Sequence, residues 1–466
     1  MTLVAGIDCS TQATKVLVCD AETGAVVRSG RAAHPDQTEV DPAVWWAAWQ
    51  KASDGLLDDV AALAVGGQQH GMVLVDDSGT PVRDALLWND NRSAVQAQQL
   101  IDELGGPAAW ASGVGSVPVA SFTVTKLRWV AEHEPEVARR ATGVALPHDW
   151  LTHRLIIDAR EFVTDRGDAS GTGYWSPAAD DYRPDLLRRA FGTELEVPRV
   201  AGTHEPLGHT ASGAVVAPGT GDNMAAALGL GLRSGDLAVS LGTSGTVFAV
   251  TDQPTADETG IVAGFADASG RFLPLVCTLN AARVLSAAAS IAGVDLDELD
   301  ALATSVDDTD GLVLLPYLDG ERTPPLPEAT GLLHGLTRRN ATPAHLARAA
   351  VEGMLCGLAD AVEALRTHGV APRRVVLIGG AARAGSVQRI ASELFGLEVV
   401  VPEPGEYVAL GAARQAAWTL IGSDHPPTWS VSGHTIAPEA DRIAAGERAL
   451  SRYRETLGAA GPLLSR

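Results

Sequence analysis

Leu3 to Ile7 is an apolar run, Lys15 to Cys19 is mostly another, and Val26-Val27 opens a third after Glu22-Thr23-Gly24. Short apolar runs parted by polar turns predict strand, loop, strand, turn, strand over residues 3–30. Asp41-Pro42 follows as a helix N-cap with proline at the first helical position. The helix it opens carries Trp45 and Trp49 on one face, four apart, as a packing stripe. Residues 60–75 read as a further apolar strand, interrupted by Gly66-Gly67-Gln68-Gln69-His70-Gly71.

The pattern then repeats in outline. Asp236 to Val250 reads as strand, Gly-Thr-Ser-Gly turn, strand, as residues 3–19 do. Helical spacing occupies about 278–304 and 343–368, and Val375 to Ile378 is a buried strand ending in Gly379-Gly380. Strands alternating with helices, and a hairpin opening each half, predict an α/β architecture in two similar lobes. The expected division is residues 1–233, residues 236–425, and a tail of 426–466 with an amphipathic helix. Identity between the halves is low, so the repeat is one of fold rather than of residues.

Composition changes this picture in two ways. The chain has 466 residues, 46% hydrophobic and 20% charged, with Gly and Pro scattered as turns, which suits two or three globular domains. Its formal net charge of −22 disfavours nucleic acid and anionic membrane as partners. The same charge repels nucleotides, so a phosphate site has to be local, built from backbone N–H groups or a bound metal. The four cysteines form no C-x-x-C pair and no zinc-spaced cluster with histidine. No signal-like start and no apolar stretch of membrane length occur, so a soluble cytoplasmic protein is expected. The oligomeric state is left open, a homodimer included.

Four segments carry candidate chemistry. Asp8 ends a buried strand and is followed by Cys9-Ser10-Thr11-Gln12-Ala13-Thr14-Lys15. Such a turn can hold phosphate oxygens, with the carboxylate holding magnesium through water and Lys15 adding positive charge. It is equally the shape of an ordinary hairpin with a capping Asp. Gly242-Thr243-Ser244-Gly245 is a second turn of this kind, where glycine admits close backbone approach and hydroxyls can bond phosphate. Gly219-Thr220-Gly221-Asp222-Asn223-Met224 is a poor dinucleotide fingerprint, because Met224 stands in place of the third glycine. It presents Asp222 at the start of a helix over 224–232. A helix N-terminus favours the ionised carboxylate, so Asp222 is expected unprotonated and able to accept a hydroxyl proton; a plain N-cap is the bland reading. Gly379-Gly380-Ala381-Ala382-Arg383-Ala384 follows a strand at the sheet edge where ligands of α/β folds bind, or is merely a strand-to-helix turn.

Together these segments resemble the FGGY family of carbohydrate kinases, in order, from about residue 3 to residue 420. Further segments place the match within the branch that acts on D-xylulose. They are Gly67 to Gly71 with Leu87-Trp88-Asn89-Asp90-Asn91-Arg92, and Pro147-His148-Asp149-Trp150-Leu151 with Thr164-Asp165 and Asp168 to Thr172. Gly221-Asp222-Asn223 with Ser240 to Gly245, and Tyr317 to Pro324, belong to the same set. The resemblance implies two actin-like (ribonuclease H-like) domains flanking a central cleft, and ATP-dependent phosphorylation of D-xylulose to D-xylulose 5-phosphate. It implies Asp222 as general base and Asp8 as organiser of Mg-ATP. Gln69, His70 and Asn223 would contact the sugar. Thr11, Gln12, Lys15, Gly242 and Thr243 would line the phosphates, and Gly379 and Gly380 would face the adenosine.

Departures from the family pattern are local. Gln69 stands where methionine is common, which makes the sugar pocket more polar. Ser10 stands where glycine is frequent, and Ala384 and Val387 replace a polar and an aromatic residue near the expected adenine contacts. Rival expectations are another sugar or polyol kinase (L-ribulose, gluconate, glycerol), an actin- or chaperone-like ATPase with no sugar acceptor, and a sugar-sensing protein without catalysis.

Overall fold

The first apolar run forms the strand Leu3–Cys9, buried along its whole length. Ala13–Asp20 returns antiparallel to it through the Ser10–Gln12 turn, and Val26–Ala33 continues the sheet. On the other side Val60–Gly67 runs parallel to Leu3–Cys9, followed outward by Val215–Val216 and Gly208–His209. The two central parallel strands are covered on both faces, which is why they read as unbroken apolar runs rather than alternating ones.

One face is packed by Trp45 of the helix Ala43–Ser53 and by Trp150 of the helix Pro147–Leu155. The other is packed by the alanines of the helix Tyr407–Ile421. That helix lies so close that a side chain on Gly6 would meet the Ala409 carbonyl oxygen at 1.8 Å. The helix starts one residue later than expected, with Pro42 rather than Asp41 at the N-cap position, and Asp41 accepts the Ala43 N–H at 2.9 Å from just outside it.

The computed structural model describes residues 1–464, which gather into two compact units. The first comprises Met1–Leu232, Val250–Pro274 and Gly405–Ser430. The second comprises Arg233–Ala249, Leu275–Pro404 and the chain from Val431. Two segments that a contiguous division gives to the second half therefore pack in the first. Gly405–Ser430 is tied there by the Trp429 indole N–H, which donates to the Ala21 carbonyl at 3.2 Å.

The second unit repeats the hairpin with crossover. Asp236–Leu241 pairs antiparallel with Gly245–Ala249 and parallel with Arg374–Ile378, which pairs parallel with Glu398–Pro402. The segment expected as a tail is part of this fold. Gly433–Ile436 adds a strand beside Glu398–Pro402, and Tyr453 of the helix Ala440–Leu464 is buried with its hydroxyl 2.7 Å from that of Tyr317. The expected helical stretch at 278–304 is two helices, Ala282–Ala292 and Leu296–Thr304, parted at Gly293 in the left-handed region.

Candidate active site

Register across the first sheet decides which side chains meet. Asp8 lies opposite Gly66, and Gly66 opposite Thr220 of the short strand Thr220–Gly221. All three strands run parallel, so Asp8, the Gln69-His70 segment and Asp222 are delivered to one sheet edge, at the strands' carboxyl ends. Ligands of open α/β sheets bind at that edge. Asp222 opens the helix Asp222–Leu230, two residues earlier than the sequence pattern indicates, with Gly221 as N-cap.

Asp8 is buried, and its Oδ2 accepts from the Lys15 ammonium at 3.2 Å. The same ammonium reaches Glu406 Oε2 at 2.7 Å. Burial raises the Asp8 pKa above the usual carboxylate range, with Lys15 opposing. For Lys15 burial works against the charge, but Asp8 and Glu406 outweigh it and hold the ammonium above its ordinary value. Asp8 Oδ1 is buried with no hydrogen-bond partner. The Trp88 indole N–H donates to Thr11 Oγ at 2.7 Å and the Gln12 carbonyl accepts the His34 N–H at 2.8 Å, so the turn is held from outside.

Asp222 is more desolvated than its place at a helix start indicates. Desolvation, and then the negative charge of Asp8, push its pKa up to about 7. The Asn223 backbone N–H donates to Asp222 Oδ1 at 2.8 Å and the Asn223 side-chain amide donates at 2.9 Å. These bonds favour ionisation without overcoming the first two effects. The helix N-terminus alone would have kept the group ionised well below neutrality. Poised near 7, Asp222 matches what a general base needs at neutral pH.

Gln69 and Asn223 are joined: the Asn223 amide donates to Gln69 Oε1 at 3.4 Å, and Gln69 Nε2 donates to the Gly167 carbonyl at the same distance. Gln69 is buried, so part of its work is to brace Asn223. His70 has φ of 66°, a left-handed conformation uncommon outside glycine. Its Nδ1–H donates to the Gly171 carbonyl at 2.5 Å, and its ring stacks on Phe122 at 4.6 Å. Its own carbonyl accepts from Thr123 Oγ at 3.2 Å and from the Lys126 ammonium at 3.3 Å. Burial lowers the Lys126 pKa to about 7, with the charge of Asp90 opposing.

In the second unit the two expected nucleotide segments come together. Ser240 lies opposite Ile378, so the Gly242–Thr243 turn and Gly379–Gly380 leave the sheet side by side. Gly379 has φ of 95°, and a side chain there would meet the Leu241 backbone at 2.6 Å. Thr243, Gly379 and Gly380 are exposed.

Among the described residues, one histidine–carboxylate group has metal-ligand spacing: His148, Asp149 and Asp168, with donor atoms within 4.8 Å. Both imidazole nitrogens are already engaged, Nδ1 with Asp168 Oδ2 at 2.6 Å and Nε2 with the Pro218 carbonyl at 3.2 Å, so the ring offers no free nitrogen to a metal. Sequence reasoning gave no role to Glu406 or Trp88. Trp88 stood in a quoted motif, whereas Glu406 is joined to Lys15 by tertiary packing alone.

Residues 3–230 match the N-terminal domain of the FGGY family of carbohydrate kinases, and residues 237–420 match its C-terminal domain. The chain belongs to that family and is a carbohydrate kinase. It is 47% identical to a xylulose kinase of Streptomyces coelicolor, over the whole of this chain and 98% of that protein. It is 35% identical to a xylulose kinase of Escherichia coli, over 88% of this chain and 89% of the relative. The crystal structure of xylulose kinase from Bifidobacterium adolescentis superposes with a TM-score of 0.88 at 44% identity, covering 96% of this chain and 99% of that one.

Proposed function

We propose that this protein transfers the γ-phosphoryl group of ATP to O5 of D-xylulose, giving D-xylulose 5-phosphate, with Asp222 as general base. The observation that carries the reading is Asp222 beside Asp8 on one sheet edge, its pKa near 7, in a chain whose full-length relatives are xylulose kinases. Phosphoryl transfer asks a protein mainly for positioning and charge neutralisation. Asp222 accepts the hydroxyl proton as the oxygen attacks. Gln69, His70 and Asn223 orient the sugar. Thr11, Gln12 and Lys15 are the phosphate-binding candidates of the first unit and Gly242 and Thr243 those of the second, where Gly379 and Gly380 lie against the adenosine.

Asp8 fits a magnesium ion. Its buried, unbonded Oδ1 is a hard oxygen donor in need of a partner. Bound through water at Asp8, the ion would neutralise charge on the phosphoryl oxygens. A cytoplasmic setting agrees with four free thiols. Among the described residues no helix is long and apolar enough to cross a membrane.

The test of substrate is ADP release across D-xylulose, L-ribulose, gluconate and glycerol, with the product identified by mass spectrometry. D-xylulose is expected to give the highest kcat/KM and a pentulose monophosphate. A higher value on another acceptor moves the assignment within the family, and ATP hydrolysis with no phosphorylated sugar removes it.

The base also predicts a pH profile. Only ionised Asp222 accepts a proton, so kcat/KM for the sugar falls about tenfold per unit below pH 7 and levels off above it. A flat profile from pH 5.5 to 8 would count against the base.

A further inference from the structure

His148 lies beneath the sheet edge that carries the base. A side chain on Gly67 would strike its Cβ at 2.6 Å, and one on Gly219 would strike its ring at 2.7 Å. The imidazole is therefore wedged between the end of the Val60–Gly67 strand and the Pro218-Gly219 loop that leads into Asp222. Its Nε2 lies 3.2 Å from the Pro218 carbonyl, which can only accept, so Nε2 carries a proton. Its Nδ1 lies 2.6 Å from Asp168 Oδ2 and 3.2 Å from Asp149 Oδ1. An ionised carboxylate can only accept, so beside ionised Asp168 Nδ1 would carry a proton too and the ring would be an imidazolium.

A second tether runs in parallel. Asp165 accepts the N–H groups of Gly167 and Asp168 and takes the Thr220 hydroxyl at 2.6 Å. The loop Pro218–Gly221 is thus gripped by a cation at one carbonyl and by a carboxylate at one hydroxyl, immediately before Asp222. The groups facing the imidazolium are Asp149 on its own helix and Asp165 and Asp168 on the facing segment, with Tyr174 and Tyr182 close to these carboxylates. Burial disfavours the charge on His148, but Asp149 and Asp168 outweigh it and lift the pKa to about 10. Desolvation keeps Asp149 and Asp168 above the usual carboxylate range, so the cluster does not carry its full negative charge.

We propose that His148 is a positioning residue for phosphoryl transfer, a permanent imidazolium that couples the Asp149–Asp165–Asp168 carboxylates to the Pro218 carbonyl and so fixes the loop that aims Asp222. The proposal rests on Asp222 being the base.

The test compares His148→Gln, which can hydrogen-bond but carries no charge, with His148→Lys, which keeps a cation. His148→Gln is expected to lower kcat about tenfold to a hundredfold, the cost of a base misplaced by a fraction of an ångström to one ångström, with KM for ATP within about twofold of wild type. His148→Lys is expected to recover most of that loss. Nitrogen-15 spectra of the wild-type enzyme are expected to show one histidine with both ring nitrogens protonated from pH 6 to pH 9, absent in His148→Gln. This readout needs no variant to be active. Unchanged kcat in His148→Gln, equal impairment of the Gln and Lys variants, or a His148 ring that titrates in the ordinary range overturns the proposal. Asp222→Asn run alongside separates the two claims. If it is inactive while His148→Gln is unimpaired, only the positioning role fails; if it is fully active, the base assignment fails first.

Discussion

Replacing Asp222 with asparagine is expected to lower sugar phosphorylation by about a hundredfold or more, the range a positioned general base contributes. The amide keeps the volume and an oxygen for the Asn223 bonds, so the loss reports proton acceptance rather than collapse. Stability moves the other way. The folded pKa of Asp222 lies near 7, above the unfolded value of about 3.9. A raised carboxyl favours the fold while protonated, and that contribution is lost as pH climbs from about 4 to about 7. At pH 8 the wild type bears the whole cost of a desolvated charge beside Asp8, and the asparagine variant bears none. The variant is therefore expected to melt a few degrees higher at pH 8, with a smaller gain at pH 5, as active-site strain often trades against stability. Thermal melts at both pH values, set beside initial rates, check the pair. An inactive and destabilised variant would point to a structural role.

Asp8→Asn is the second large effect. The change removes the negative charge proposed to hold the nucleotide's metal and leaves the Lys15–Glu406 pair in place. A loss of about 3 kcal/mol of transition-state stabilisation is about a hundredfold in rate, and at least that is expected. The residual activity carries a further signature. Asp8 is one of the two causes that raise Asp222, so its removal lets the Asp222 pKa fall and moves the acid limb to lower pH. Activity measured from pH 5 to 8 at saturating magnesium shows the shift. A limb that stays at 7 in Asp8→Asn would mean that desolvation alone sets the base.

What could be read from the chain was local. The Leu3–Asp20 hairpin, its counterpart at Asp236–Ala249 and the strand before Gly379 follow from short apolar runs and small-residue turns, because each is settled by neighbours in sequence. The segments quoted for the family hold nearly every side chain described at the sheet edge. Helix starts were legible to within two residues at Asp222 and Pro343 and to within four at Ala282, since a cap can be shifted without altering the pattern.

What could not be read was tertiary. Nothing local says that Gly405–Ser430 joins the first unit, or that Glu406 closes on Lys15. The raised pKa of Asp222 is tertiary in the same sense. The helix N-terminus is visible in sequence, but desolvation and Asp8 arrive only when the strands pair in register. His148 likewise stood inside a recognised motif without a role, because Asp168 and Pro218 are joined to it only by folding.

The most direct measurement follows ATP and D-xylulose by phosphorus-31 NMR with wild-type enzyme and with Asp222→Asn at pH 8. The wild type should convert the γ-phosphoryl signal into a sugar phosphomonoester, and the variant should leave ATP almost intact over the same interval. A variant that produces the phosphomonoester at the wild-type rate, or a wild type that yields only inorganic phosphate, would contradict the assignment of Asp222 as the base of a xylulose-phosphorylating site.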